Sequence, residues 1–180
     1  MANPLYGQNK ADNLLDDIKS NQVIIEKSVV KSSTAITITA AANSDGTVAQ
    51  PAGTTLMSVI LSPQTVITTA GASGDDLDFS MGTAAGGAQI LAAKAILDDG
   101  GAAVSLAAGA AYEVISGGVG QAANAFAGLG TATSEASPVV GALYSAVARD
   151  VHYRFTPLAN DLAATGTVDV ICTFVKTNAA

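Results

Sequence analysis

What most constrains this chain is how its apolar residues are punctuated. From residue 22 onward, short β-branched and aliphatic runs alternate with clusters of Gly, Ser, Asn, Asp and Pro. Val23-Ile24-Ile25 leads to Val29-Val30, and Ala35-Ile36-Thr37-Ile38-Thr39 repeats with period two. Further runs cover Thr54 to Leu61 (cut by Pro63), Thr65 to Thr69, Leu77 to Met81, Gln89 to Leu97 and Ala111 to Ser116. Val139 to Val147, Val151 to Thr156 and Gly166 to Val175 complete the series. Period two puts successive side chains on opposite faces of a strand, and turn residues at this spacing close hairpins. About ten short strands of this kind predict an all-β, antiparallel β-sandwich or jelly-roll-like domain. Asn43-Ser44-Asp45-Gly46 is expected as a turn-rich loop, with Gly46 at the positive-φ position. The alanine-rich Gln89 to Leu97 has helical propensity as well, but its strand-like neighbours and flanking glycine pairs favour a strand.

The first residues follow a different rule. Residues 1–21 are set apart as an arm, and residues 22–180 as the β-sandwich domain. Lys10, Asp12, Asp16, Asp17 and Lys19 make the arm dense in charge, while Ala11, Leu14, Leu15 and Ile18 fall on one helical stripe with Asn9 as N-cap. A helix this short is marginal alone and needs a partner surface. Ahead of it, Asn3-Pro4-Leu5-Tyr6-Gly7 is an extended or turn segment. The arm either folds against its own domain or docks on a neighbour. The Ser116 to Ser137 segment, with Glu135 as its one charge, is too polar for a core and too apolar for a solvated linker. It is expected as a surface loop or as a contact between subunits. Candidate interface residues are therefore Pro4, Leu5, Tyr6, Leu14, Leu15, Ile18, Phe126 and Leu129.

Composition narrows the function classes. Charged residues are 13% of the chain against about 25% in ordinary soluble domains, and aromatics are 4%. Eight basic residues against fifteen acidic ones, a net charge of −7, disfavour a nucleic-acid reader that neutralises phosphates. Positive mean hydropathy (+0.39) argues against disorder. The N-terminus has no basic start followed by an apolar signal core, and no run of 18 apolar residues suggests a membrane span. No membrane partner is expected.

Catalysis finds little to build on. Cys172 is the only cysteine, so no intrachain disulfide forms, and its phase with Val168 and Val170 marks a buried strand residue. His152 is the only histidine; alternation places it with Arg154 on one strand face, opposite Val151, Tyr153 and Phe155. No Gly-x-Ser-x-Gly elbow accompanies it, and a histidine metal site would lack a second imidazole. Asp75, Asp76 and Asp78 could offer oxygens to calcium, but the EF-hand glycine and glutamate are out of place, which favours a solvated acidic turn. Asp98-Asp99-Gly100-Gly101 is expected as another turn. The glycine-rich Gly82 to Gly87 and Gly117 to Gly120 lack the lysine and βαβ setting of a phosphate cradle. No catalytic residue, cofactor or metal site is assigned, and the chain is expected not to be an enzyme.

Three stretches carry a resemblance. They are Met1 to Asp12; Leu61-Ser62-Pro63-Gln64-Thr65-Val66-Ile67-Thr68-Thr69-Ala70 leading into Asp76 to Thr83; and Ala148-Arg149-Asp150-Val151-His152-Tyr153-Arg154-Phe155 with Thr165 to Val175. Together they cover about half the chain, and they resemble small virion structural proteins of tailed phages of marine bacteria. The resemblance implies a decoration (cement) protein on the capsid exterior, made in the host cytoplasm, commonly a homotrimer, and bound to the major capsid protein. It carries over no catalytic residue. A tail, neck or fibre component contacting host glycans is the alternative. A cellular surface or sheath protein would normally carry the export signal that this chain lacks.

Overall fold

Alternation in sequence becomes pairing in space. The computed structural model describes residues 29–40, 42–71, 75–98, 103–116, 119–120, 139–157 and 162–176. Its strands are β1 (Val29–Ile38), β2 (Ser44–Gln50), β3 (Thr54–Pro63), β4 (Ile67–Thr69), β5 (Asp75–Gly82), β6 (Leu91–Asp98) and β7 (Ser105–Leu106). They continue with β8 (Tyr112–Ser116), β9 (Val119–Gly120), β10 (Tyr144–Ser145), β11 (Arg149–Pro157), β12 (Leu162–Ala164) and β13 (Gly166–Lys176). A helical turn, Val140–Leu143, precedes β10.

One sheet has the order β1-β13-β3-β8-β9, with β10 added beside the start of β3, and a second has the order β2-β11-β5-β6. All pairs are antiparallel. Counting the eight principal strands along the chain (β1, β2, β3, β5, β6, β8, β11, β13), one sheet reads first-eighth-third-sixth and the other second-seventh-fourth-fifth. That order is a jelly roll, two Greek keys folded into facing sheets. The expected all-β fold class holds, in its jelly-roll form.

The inward phase of both sheets forms one core. Leu56, Val59, Leu61, Val168, Val170, Cys172 and Phe174 come from one sheet, and Val48, Leu77, Phe79, Met81, Val151, Tyr153 and Phe155 from the other. Phe79, Tyr153 and Phe155 cluster with centroid separations of 5.0 to 6.4 Å. Aromatic pairs at this spacing contribute about 0.5–1.5 kcal/mol each beyond area burial.

Following strand direction assigns each connection to an end. The small third sheet, β12-β4-β7, gathers three connections at one end; Thr68 and Ser105 hydroxyls bond across it at 2.9 Å. The opposite end holds the turn between β2 and β3, the loop between β5 and β6, and the segment that enters β11.

Several expectations change. Ser44, Asp45 and Gly46 lie in β2 rather than in a turn, and Gly46 pairs with Tyr153. Gly46 has no positive φ. It is glycine because the Tyr153 ring fills the space a side chain would need: a Cβ there would stand 2.7 Å from Cε2 and nearer still to Cζ and the hydroxyl. Val139 to Val147 is not one strand but the helical turn, the two-residue β10 and a bend. Asp75 to Asp78 lies in β5, not in an acidic turn. Gln89 to Leu97 does give a strand, β6; register shifts along its pairing with β5 break the period-two burial and explain its helix-like pattern. The predicted arm helix, and the Ser116 to Ser137 loop beyond its described ends (Ser116 and β9), lie outside the described residues.

Candidate interaction surfaces

Of the predicted interface residues, Pro4, Leu5, Tyr6, Leu14, Leu15, Ile18, Phe126 and Leu129 all lie outside the described residues. The chemistry-bearing residues within reach are placed as follows. His152 and Arg154 share the outer face of β11, while Val151, Tyr153 and Phe155 are buried beneath, as the alternation predicts. Cys172 is fully buried, and burial pushes its thiol pKa up to about 12. Asp75 and Asp78 lie in β5, where Asp75 pairs with Asp98 and Asp78 with Ala95 of β6. Among the described residues no three His, Cys, Asp or Glu side chains group as metal ligands would. No helix of the described residues is long and apolar enough to cross a membrane.

The two outer faces differ in chemistry. On the β2-β11-β5 side, Asp45 and Arg154 form a two-point contact between cross-strand neighbours, Nε to Oδ1 at 2.7 Å and Nη2 to Oδ2 at 3.0 Å. The guanidinium hydrogen bond holds the Asp45 carboxyl below its usual range. Gly86, at φ +68°, runs under this arginine: a Cβ there would stand 2.7 Å from Nη2. The glycine-rich Gly82 to Gly87 is thus a tight loop between antiparallel strands, its Thr83 amide donating to the Gln89 side chain at 3.1 Å. Asp150 and His152 extend this charged face.

The β1-β13-β3 side is dominated by hydroxyl and aliphatic side chains, with few charges among them. Its outward phase carries Lys31, Ser33, Ala35 and Thr37 on β1, Thr167, Asp169, Ile171, Thr173 and Val175 on β13, and Thr55, Met57, Ser58, Ile60 and Ser62 on β3. The register shift between Thr173 and Phe174 turns both Met57 and Ser58 outward. The acids of this face are hydrogen-bonded: Asp169 accepts from Gln64 at 2.9 Å and Glu113 from Ser58 at 3.2 Å.

A third surface lies at the end where β11 begins. Gln50, 1% exposed, donates through Nε2 to the Thr54 carbonyl at 2.8 Å and to the Leu143 carbonyl at 2.9 Å. Its Oε1 accepts from Arg149 Nε at 2.8 Å, and Arg149 Nη2 donates to the Ala142 carbonyl. This buried network ties the end of β2, the start of β3, the helical turn and the start of β11 together. Beside it is an open depression of about 370 Å³ lined by Ala49, Gln50, Pro51, Ala148, Arg149 and Asp150. Burial lowers the Arg149 pKa from its ordinary value. Exposed on the same connection are Val139 (56%), Tyr144 (43%) and Val147 (69%).

Sequence reasoning did not single out Arg149. Its signal is parity: it falls in the inward phase of Val151, Tyr153 and Phe155, where a charge has to be hydrogen-bonded. Comparison of the chain with protein-family models, curated proteins and solved structures finds no match.

Proposed function

We propose that this protein is a non-enzymatic virion structural protein, a capsid decoration (cement) protein that lies on the outer shell and stabilises it. The observation that carries the reading is the contrast between the two sheet faces. A face mostly of Ser, Thr, Ala, Ile and Met, with Lys31 as its exposed cation and its acids Asp169 and Glu113 already hydrogen-bonded, suits burial against another protein, because few ions must be desolvated and short side chains lose little rotamer entropy. The charged opposite face suits solvent. Jelly rolls build viral capsid domains, but they also build lectins and cupins, so strand order adds weight only together with the face chemistry and the sequence resemblance. In this reading the β1-β13-β3 face meets the major capsid protein. Each copy adds a modest free energy in the assembled state alone, summed over the lattice.

Copy number in purified virions tests this. Hundreds of copies per particle are expected of a decoration protein. A dozen or fewer would overturn it in favour of a tail, neck or fibre component.

A further inference from the structure

The outer face of β1-β13-β3 is not uniform along its strands. Toward the end where β1 begins, its aliphatic side chains gather beside an aromatic. Tyr144 stands opposite Thr55, Thr55 opposite Val175, and Ile60 opposite Ile171, with Met57 turned outward by the register shift between these rows. Tyr144 is exposed, and Met57, Ile60, Ile171 and Val175 are each partly exposed. Lys31 and Lys176 border this patch, both exposed and neither ion-paired among the described residues. The other outer face has no such patch: the outward residues of β2 and β11 include no large apolar side chain.

We propose that this patch is the docking site of the chain's own arm, which lays the stripe Ala11, Leu14, Leu15 and Ile18 across it. Charge complementarity selects that occupant. The stretch Ala11 to Ile18 holds Asp12, Asp16 and Asp17 and no base, and it meets an apolar patch edged by two unpaired lysines. Chain geometry selects it as well. The arm joins the described structure at Val29, which pairs with Val175 inside the patch. A helix of about ten residues is roughly 15 Å long, close to the span from Thr55 to Ile60 at about 3.3 Å per strand residue. Residues 20–28 reach up to about 30 Å when extended, enough for the stripe to fold back over the face. The docking gives a short helix, marginal alone, the partner surface it needs. It does not rest on the virion reading, since the purified chain is sufficient to form it. Within that reading the docked arm is part of the surface turned toward the capsid, so its deletion removes some of that contact.

Disulfide trapping in the dilute full chain tests the proposal. Leu15→Cys is combined with Met57→Cys, while the native Cys172 is fully buried and stays out of the exchange. Mild oxidation is expected to join the two within one chain, read as the loss of both thiols with no band at twice the mass. A tether alone raises the effective concentration of any arm residue. Asn13→Cys, on the opposite side of the predicted helix, therefore serves as the control, and it is expected to bridge to Met57→Cys about tenfold more slowly. Ile171→Cys in place of Met57→Cys repeats the test on β13 with the same expectation. Equal rates for the Leu15 and Asn13 variants would overturn the proposal, since they would mean that the arm does not settle on the patch. Bridges found only between chains would give the patch to a second copy, and would equally overturn it, as would the absence of any bridge.

Discussion

Gly46→Ala sets two physical expectations against each other. By backbone reasoning, alanine in place of a strand-interior glycine with an ordinary φ stabilises by about 0.5–1 kcal/mol, because the unfolded chain loses freedom. The structure forecasts the reverse. The new Cβ would stand 2.7 Å from Tyr153 Cε2 and nearer to Cζ and the hydroxyl, where carbons normally keep about 3.5–4.0 Å. Tyr153 cannot swing away freely: it is 1% exposed and packed with Phe79 and Phe155. Overpacking of this kind costs roughly 1–3 kcal/mol, and moving the ring forfeits part of two aromatic contacts worth about 0.5–1.5 kcal/mol each. Against the backbone gain, the net is a destabilisation of about 1–3 kcal/mol, or about 3–9 °C in melting temperature for a domain of this size.

Denaturant unfolding at fixed protein concentration measures it, with the midpoint lowered and the slope unchanged. Tyr153→Leu removes every atom the Cβ would strike, so Gly46→Ala in that background should recover the small backbone gain. The double-mutant cycle is then expected to show about 1–3 kcal/mol of coupling. A Gly46→Ala protein as stable as the wild type, or a cycle that closes additively, would refute the placement of the ring over β2.

Three further outcomes follow from the same structure. Tyr153→Phe should be neutral or stabilising by up to about 1 kcal/mol, because the buried Tyr153 hydroxyl has no hydrogen-bond partner among the described residues, its neighbour Thr34 donating to the Thr47 carbonyl; a clear loss of stability in urea would contradict this. Burial raises the pKa of Tyr153 from 10.0 and of Cys172 from 9.0, each to about 12, so the folded state holds protons that the unfolded chain releases. Stability present below pH 9 should therefore fall between pH 9 and 12, by roughly 1.4 kcal/mol per pH unit for each group above its unfolded value, and Cys172→Ala should flatten the pH 9–10 part of that slope. A stability curve flat to pH 11 would count against it. Deleting Met1 to Ser20 should leave a cooperatively folded protein, since the core described here is built from Ile38 onward, that no longer binds particles; retained affinity would show that the arm is not the anchor.

What could be read in advance was what local periodicity encodes. Val151 to Phe155 and Val168 to Phe174 alternate strictly, and their faces are assigned correctly, because each strand has one buried side. β2 was missed for the opposite reason. Its Ser44-Asp45-Gly46 has turn composition, yet two of these residues answer to β11: Asp45 to the Arg154 guanidinium and Gly46 to the Tyr153 ring. Those partners stand more than a hundred positions away, so local composition points the wrong way. β4 falls within the predicted Thr65 to Thr69 run, whereas β7 and β12 are too short to show a period; the three meet where three connections gather at one end. The Arg149 surface falls between these cases. Inward phase flags the arginine as a residue whose charge has to be satisfied, but only the fold brings Gln50 and the Ala142 carbonyl to it. Those two neutral acceptors satisfy its hydrogen bonds while leaving its charge uncompensated.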